Sequence, residues 1–399
     1  MKVIFLSHSF PPQAAPRAVQ VARLAKYSRL PIRVLCASAP CAEHALREAV
    51  EVLGFPDRSP RLWRLAKHFL YLPDSERPWA DRLARTVLAE GLAGRDDVLV
   101  TFGQPMSDHL AGLRIKRRLG LPWIAHFSDP WSDNPYLSQN PISRLRLRNM
   151  ERQVFGEADR LLFTSPETVD LVMRKYPGNW RDKTSVLPHA YDPQLYRQVA
   201  APREGNGVLT LRYVGNFYGQ RNPLMLIEAL ALLLRTQSGV LDKVRIELVG
   251  RWVGHEHWSP AAAGLPTQLL TFHKSVGYAE SLRLMCKADA LLIIDAPFEH
   301  NVFFPSKLVD YLGAGRPILA LTPPGATADI VTAAGGVIAS PANAETMAEG
   351  LANLIGKLRH DTIGAPSESV VARYDVRRIA TVFDELVLSL ARNGSHRQA

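Results

Sequence analysis

The chain has 399 residues, 47% of them apolar and 22% charged, an ordinary globular balance with room for two domains of about 150–200 residues each. No apolar run nears the ~20 residues a membrane-spanning helix needs. The opening MKVIFLSHSFPP is too short in its apolar part for a secretory signal, and Cys36, Cys41 and Cys286 lack zinc spacing, which predicts free thiols and a cytoplasmic setting. The net charge of +10 is uneven: residues 1–200 hold 29 Lys and Arg against 20 Asp and Glu. That half is either a solvated basic surface or a face for an anion such as phospholipid headgroups, a lipid-linked phosphate or nucleic acid.

In chain order, β-rich runs alternate with helical patterns. VIFLS (3–7), IRVLCA (32–37), DVLVTF (97–102), WIAHF (123–127) and RLLFTS (160–165) read as strands. Helices are expected near 17–29, 78–92, 106–119, 141–156 and 166–176. Residues 183–207 are rich in Pro, Gly and polar residues and mark a boundary. This gives a first domain over 1–192, a linker over 193–207 and a second domain over 208–375. The second domain repeats the alternation, with strands VLTLRYVG (208–215), VRIELVG (244–250), LLTFHKS (269–275), ALLIID (290–295) and PILAL (317–321). Its helices are expected near 223–236, 278–287, 306–314 and 342–357, and a closing helix over 376–392. The pattern predicts an α/β protein: two doubly wound, Rossmann-like domains facing a central cleft. Ligands of such sheets sit at the carboxyl ends of the strands.

The segment FFPSKLVDYLGAGRP (303–317) puts a lysine where a helix begins, the end that carries partial positive charge. Ser306 reads as the N-cap, with the helix over 307–314 and Gly313 and Gly315 ending it. A cation is sensible there if a phosphate docks among free N–H groups, the hydroxyl and the ammonium. Asp310, three residues on, is placed to accept hydrogen bonds from a ribose diol. The plainer reading is a capped helix with a solvated Lys–Asp pair.

The chain resembles the family 4 glycosyltransferases of the GT-B fold. FPSKLVDYLGAGRPILAL resembles their donor-binding motif, and five further stretches resemble family segments in the expected order: 7–27, 120–136, 151–168 with 184–196, 211–230 and 275–295. The resemblance implies transfer of a sugar from a UDP- or GDP-linked donor, with retention at the anomeric carbon and no metal or other cofactor. It places Ser306 and Lys307 on the diphosphate and Asp310 on the ribose, where the family usually has glutamate. Arg221 lies in a loop that supplies a basic residue to the phosphates. His126 and Asp129 lie near the sugar, and Arg17 begins a helix that faces the phosphates. It also implies that the closing helix packs back on the first domain. Val302 stands where many members carry another glutamate, Ala14 and Ala15 where glycine is frequent, and His189 where asparagine is common.

Cleaving a sugar–diphosphate bond leaves negative charge that must be neutralised as it grows. Asp108, Asp129 and Asp133 form no tight DxD sequence, so Arg221, Lys307 and the helix start are expected to act as fixed electrostatics. With no evident carboxylate nucleophile, the departing phosphate takes the acceptor's proton and His126 holds the sugar. The plainer reading of His126 is a buried histidine bonded to backbone. GHEHW (254–258) lacks a third metal ligand. RLWRLAKHFLYLP (61–73) and SRLRLRNMERQVF (143–155) mix basic and apolar residues, as a membrane-interface helix or an ordinary packed one would. The leading reading is a glycosyltransferase at the inner membrane face, acting on a lipid-linked or polysaccharide acceptor in cell-surface glycan synthesis. A GT-B nucleotide-sugar epimerase or hydrolase is the alternative. A nucleic-acid-binding protein is third, without the aromatic platforms or reading helix it needs.

Overall fold

The computed structural model describes residues 1–13, 15–38, 48–58, 74–136, 140–199, 207–255 and 263–396. The chain divides into two units, residues 1–189 with 376–399, and residues 190–375.

The first unit is built on a seven-stranded sheet in the order β3-β2-β1-β4-β5-β6-β7. Its strands are β1 (Val3–Leu6), β2 (Ile32–Cys36), β3 (Val50–Gly54), β4 (Val98–Gly103), β5 (Trp123–Phe127), β6 (Arg160–Phe163) and β7 (Thr184–Val186). All pairings are parallel, with Val3 opposite both Ile32 and Val98. All four side chains of β1 are buried, as a central strand covered on both faces requires. The helices are α1 (Pro16–Tyr27), α2 (Arg77–Ala89), α3 (Ser107–Leu119), α4 (Pro141–Glu157), α5 (Pro166–Met173) and α6 (Gly178–Arg181). Their ends follow local chemistry. The Asn140 side chain accepts from the Ile142 and Ser143 amides ahead of α4, and Ser165 caps α5 through the Thr168 amide. Gly120, with φ +73°, ends α3 after a basic last turn.

The second unit carries a six-stranded parallel sheet, β10-β9-β8-β11-β12-β13. These strands are β8 (Leu209–Val214), β9 (Val244–Val249), β10 (Leu270–His273), β11 (Ala290–Ile294), β12 (Ile318–Leu321) and β13 (Val337–Ala339). Its helices are α7 (Pro193–Val199), α8 (Leu224–Thr236), α9 (Tyr278–Lys287), α10 (Ser306–Ala314), α11 (Ala326–Ala333), α12 (Ala344–Arg359) and α13 (Glu368–Val371). The last helix, α14 (Val376–His396), belongs to the first unit. There Asp384 accepts from the Ser28 hydroxyl (2.6 Å) and the Arg29 amide (2.7 Å), and Phe383 meets Phe5 edge-on.

Both sheets reverse strand order once, between β1 and β4 and between β8 and β11. Such switch points open a crevice at the carboxyl ends of the strands. Residues 50–54, 184–186 and 337–339, not anticipated as strands, all lie at sheet edges, where burial on one side leaves a weaker apolar signal. Residues 193–199, read as linker, form α7. The stretch 61–73 and His257 of GHEHW lie outside the described residues.

Candidate active site

At the carboxyl edge of the second sheet, β11 ends in a buried carboxylate, Asp295. Its Oδ1 accepts from Arg221 Nη2 at 3.0 Å. Its Oδ2 accepts from Asn301 Nδ2 at 2.7 Å and from the Thr322 hydroxyl at 2.9 Å. Asn301 also reaches the Thr327 hydroxyl (3.0 Å) and accepts from the Phe303 amide (3.0 Å). Three segments, after β8, β11 and β12, are thereby tied together in front of α10. Arg221 is buried, and its second nitrogen donates to the Tyr218 hydroxyl at 2.9 Å.

Lys307 sits on the first turn of α10. Its ammonium donates to the Tyr213 hydroxyl at 2.6 Å and lies 3.9 Å from that ring's centre. Burial, reinforced by the positive charge of Arg221 and only partly opposed by Asp295, holds its pKa well below the ordinary lysine value. Gly215, with φ +150° at the end of β8, makes room: a β-carbon there would lie 2.8 Å from the Lys307 ammonium. Ser306 is the first helical residue rather than the cap. Pro305 holds the cap position, and no side chain caps the helix start. The expectation of a serine cap is thus corrected. Proline pre-sets the backbone, and the first N–H groups of α10 are left for another partner. Asp310 is buried, and its Oδ1 accepts from Tyr196 (3.1 Å) and Tyr278 (3.0 Å). Gly313 lies within α10 instead of ending it. A β-carbon there would meet Tyr191 at 2.7 Å and Tyr196 at 2.8 Å.

At the carboxyl edge of the first sheet, Arg17 from α1 donates through Nη1 to His126 Nδ1 at 3.2 Å. A guanidinium has only donors, so Nδ1 must accept and the His126 proton resides on Nε2. Burial lowers the Arg17 pKa to about 10 against the raising pull of Asp129 and Asp108, and its Nη2 is buried without a hydrogen-bond partner. His109, His126 and His189 are all buried. Burial first, and the Arg17 charge second, keep all three neutral, with His189 pushed down to about 3. Asp108 accepts from the His8 amide at 2.7 Å. Burial, with Asp74 and Glu76 nearby, holds its carboxyl well above the usual range. Asp129, half-buried, accepts from Gln104 at 2.8 Å. The segment after Asp129 is anchored by fully buried Glu151 of α4, which accepts from the Ser132 amide (2.7 Å), Lys175 (2.7 Å) and the Tyr176 hydroxyl (2.6 Å).

The expected residues therefore form two groups, Arg221 with Lys307 and Ser306 in one unit, and Arg17 with His126 and Asp129 in the other. Asp295, Asn301, Tyr213 and His109 were not singled out from sequence. The signal for Asp295 was present: an acid directly after the wholly apolar run ALLII stands at the carboxyl end of a buried strand. Asn301 and Tyr213 carry no such mark, because their roles depend on partners distant in the chain.

Residues 14–190 match the glycosyl transferase 4-like domain family, and residues 209–357 match the glycosyl transferases group 1 family. A D-inositol 3-phosphate glycosyltransferase of Geodermatophilus obscurus is 26% identical over 187 residues, 43% of this chain and 39% of that protein's length. Among solved structures, HepE of Anabaena in complex with UDP and glucose superposes with a TM-score of 0.70 at 17% identity, covering 98% of this chain and 100% of that one. Sucrose-phosphate synthase of Thermosynechococcus elongatus gives 0.68 at 14% identity, with 98% of each chain covered. Matches to two glycosyltransferase domain families, one over each parallel-sheet unit, together place the chain among the family 4-like glycosyltransferases of the GT-B fold.

Proposed function

We propose that this chain is a retaining glycosyltransferase that takes a sugar from a nucleoside diphosphate sugar, UDP-linked in the first instance. The observation that carries this reading is the Lys307–Arg221 pair, held at the carboxyl edge of the second sheet beside the uncapped start of α10. As the bond from the anomeric carbon to the diphosphate oxygen breaks, the two cations and the helix start neutralise the charge left on the diphosphate. The acceptor hydroxyl oxygen bonds to the anomeric carbon, and its proton passes to the departing phosphate oxygen. His126, whose Nδ1 is occupied by Arg17, donates from Nε2 to a sugar hydroxyl and does not act as base. No step in this scheme calls on a metal. Asp310 takes the ribose role only through Oδ2, since Oδ1 serves two tyrosines.

For the acceptor, a lipid-linked or polysaccharide glycan in cell-surface synthesis is the first reading, supported by the basic first half. A small phosphorylated acceptor is the second. It is favoured by the buried, unpartnered Nη2 of Arg17, and D-inositol 3-phosphate, named for the relative above, is the first compound to try. The test is a panel of UDP- and GDP-sugars, scored by thermal shift and then by nucleotide release with and without acceptors. Stabilisation by one nucleotide sugar with acceptor-dependent release is expected. Release independent of any acceptor indicates a hydrolase, and no stabilisation by any donor removes the reading.

A further inference from the structure

Helix α4 presents an outer face that the transfer chemistry does not use. Leu147, Glu151, Val154 and Phe155 are its buried side. At 100° per residue, Ile142, Leu145, Arg146, Asn149 and Arg152 point the opposite way. Ile142 (55%) and Leu145 (61%) are the most exposed large apolar side chains among the described residues, and they sit one turn apart. Arg146 and Arg152 on that face are exposed, and exposed Arg148 stands at its flank. Of the two acids of α4, Glu151 is turned inward to Lys175 and Tyr176, and Glu157 at the far end pairs with Arg117. The face continues into an open groove of about 490 Å³ lined by Asn149, Arg152, Trp180 and the Arg117–Glu157 ion pair (3.2 Å). Trp180 is half-buried there and stacked on Tyr176. Two exposed aliphatic side chains one turn apart with cations on the same face are more than the single exposed apolar residues of an ordinary surface. A face that meets an anionic, partly apolar layer has use for both.

We propose that the outer face of α4 is a docking surface for an anionic phospholipid bilayer. Ile142 and Leu145 enter the headgroup–acyl boundary, and Arg146 and Arg152 pair with lipid phosphates. The helix lies along the surface; no helix among the described residues is long and apolar enough to cross a membrane. The purpose of this contact, access to a membrane-bound acceptor, rests on the acceptor reading above. The contact itself does not, and it is measured without donor or acceptor.

The test is co-sedimentation of the full chain with phosphatidylcholine vesicles and with mixed phosphatidylcholine–phosphatidylglycerol vesicles, at low and high salt. Binding to the mixed vesicles alone, weakened by salt, is expected. One arginine near an anionic surface is worth about fivefold in affinity, so the double charge reversal Arg146→Glu/Arg152→Glu should abolish it. Ile142→Ser/Leu145→Ser should weaken it by about tenfold or more with all charges kept. Both variants change exposed positions, and an unaltered melting temperature verifies their fold. Binding to neither vesicle overturns the proposal. So does binding that ignores the Ile142/Leu145 change while an acidic polysaccharide or RNA competes it away, because the face is then a polyanion site.

Discussion

A lysine at a helix start is disfavoured by the helix dipole by a few tenths of a kcal/mol, and burial beside an arginine adds to that cost. In Lys307 both penalties are accepted, with Tyr213 as the hydrogen-bond partner and Gly215 leaving space above. In the proposed function an arriving diphosphate would remove both penalties at once. Replacing Lys307 or Arg221 by alanine is therefore expected to lower turnover by about a hundredfold or more, the range seen for one preorganised electrostatic donor, with the melting temperature close to that of the parent. Because the folded pKa of Lys307 is depressed, the ammonium form is lost as pH rises through a value below the ordinary lysine range. Affinity for UDP should fall over that interval, and Lys307→Arg, permanently charged, should flatten the profile in a titration series. Lys307 and Ser306 were singled out because a cation at a helix start is anomalous in one dimension, and Arg221 only through the family resemblance. The Asp295 hub was not, since its three side-chain partners are spread from residue 221 to 322 and only the folded sheet edge brings them together.

Elements hold these residues in place. Pro305 starts α10 at an angle set by its fixed φ, and the Asn301–Asp295 network holds the loop before it. In the first unit, one buried carboxylate in α4 organises the segment after Asp129. Glu151→Ala would leave Lys175 to Asp133 and the Ser132 hydroxyl, and the Ser132 amide unsatisfied. The expected cost is about 1–3 kcal/mol, read by urea unfolding. Glu151→Gln, which keeps an acceptor, should cost less. Central strands and long helices were readable from apolar periodicity, because burial on both faces forces continuous apolar runs. The short edge strands β3, β7 and β13 and the helix α7 were not, because half-exposed elements place weak demands on composition. Gly313 was misread as a helix stop. Only the rings of Tyr191 and Tyr196 against α10 explain a glycine inside that helix.

At the scale of the whole molecule, the first unit hides three neutral histidines around one buried arginine, and this sets its response to acid. Their folded pKa values are depressed, so the unfolded chain binds protons that the folded chain refuses. Stability is then complete above the unfolded histidine value of about 6.5 and is lost as pH falls below it, at about 1.4 kcal/mol per pH unit for each histidine. For His189 the loss continues toward a folded pKa of about 3. Urea unfolding at pH 7 and pH 5 should show the decline, and His189→Gln should reduce it by one histidine's share. The closing helix α14 is tied to α1 and its following turn through Asp384, a contact between residues some 355 positions apart that no local pattern announces. The two-unit α/β architecture, by contrast, was readable in the repeated alternation of strands and helices.

The central claim is that the cations at the start of α10 and in the loop after β8 grip a nucleoside diphosphate. Calorimetric titration of UDP into the parent chain and into Lys307→Ala tests it most directly. Saturable binding by the parent, weakened at least tenfold in the folded variant, is the expected result. Equal affinity in the two proteins would contradict it.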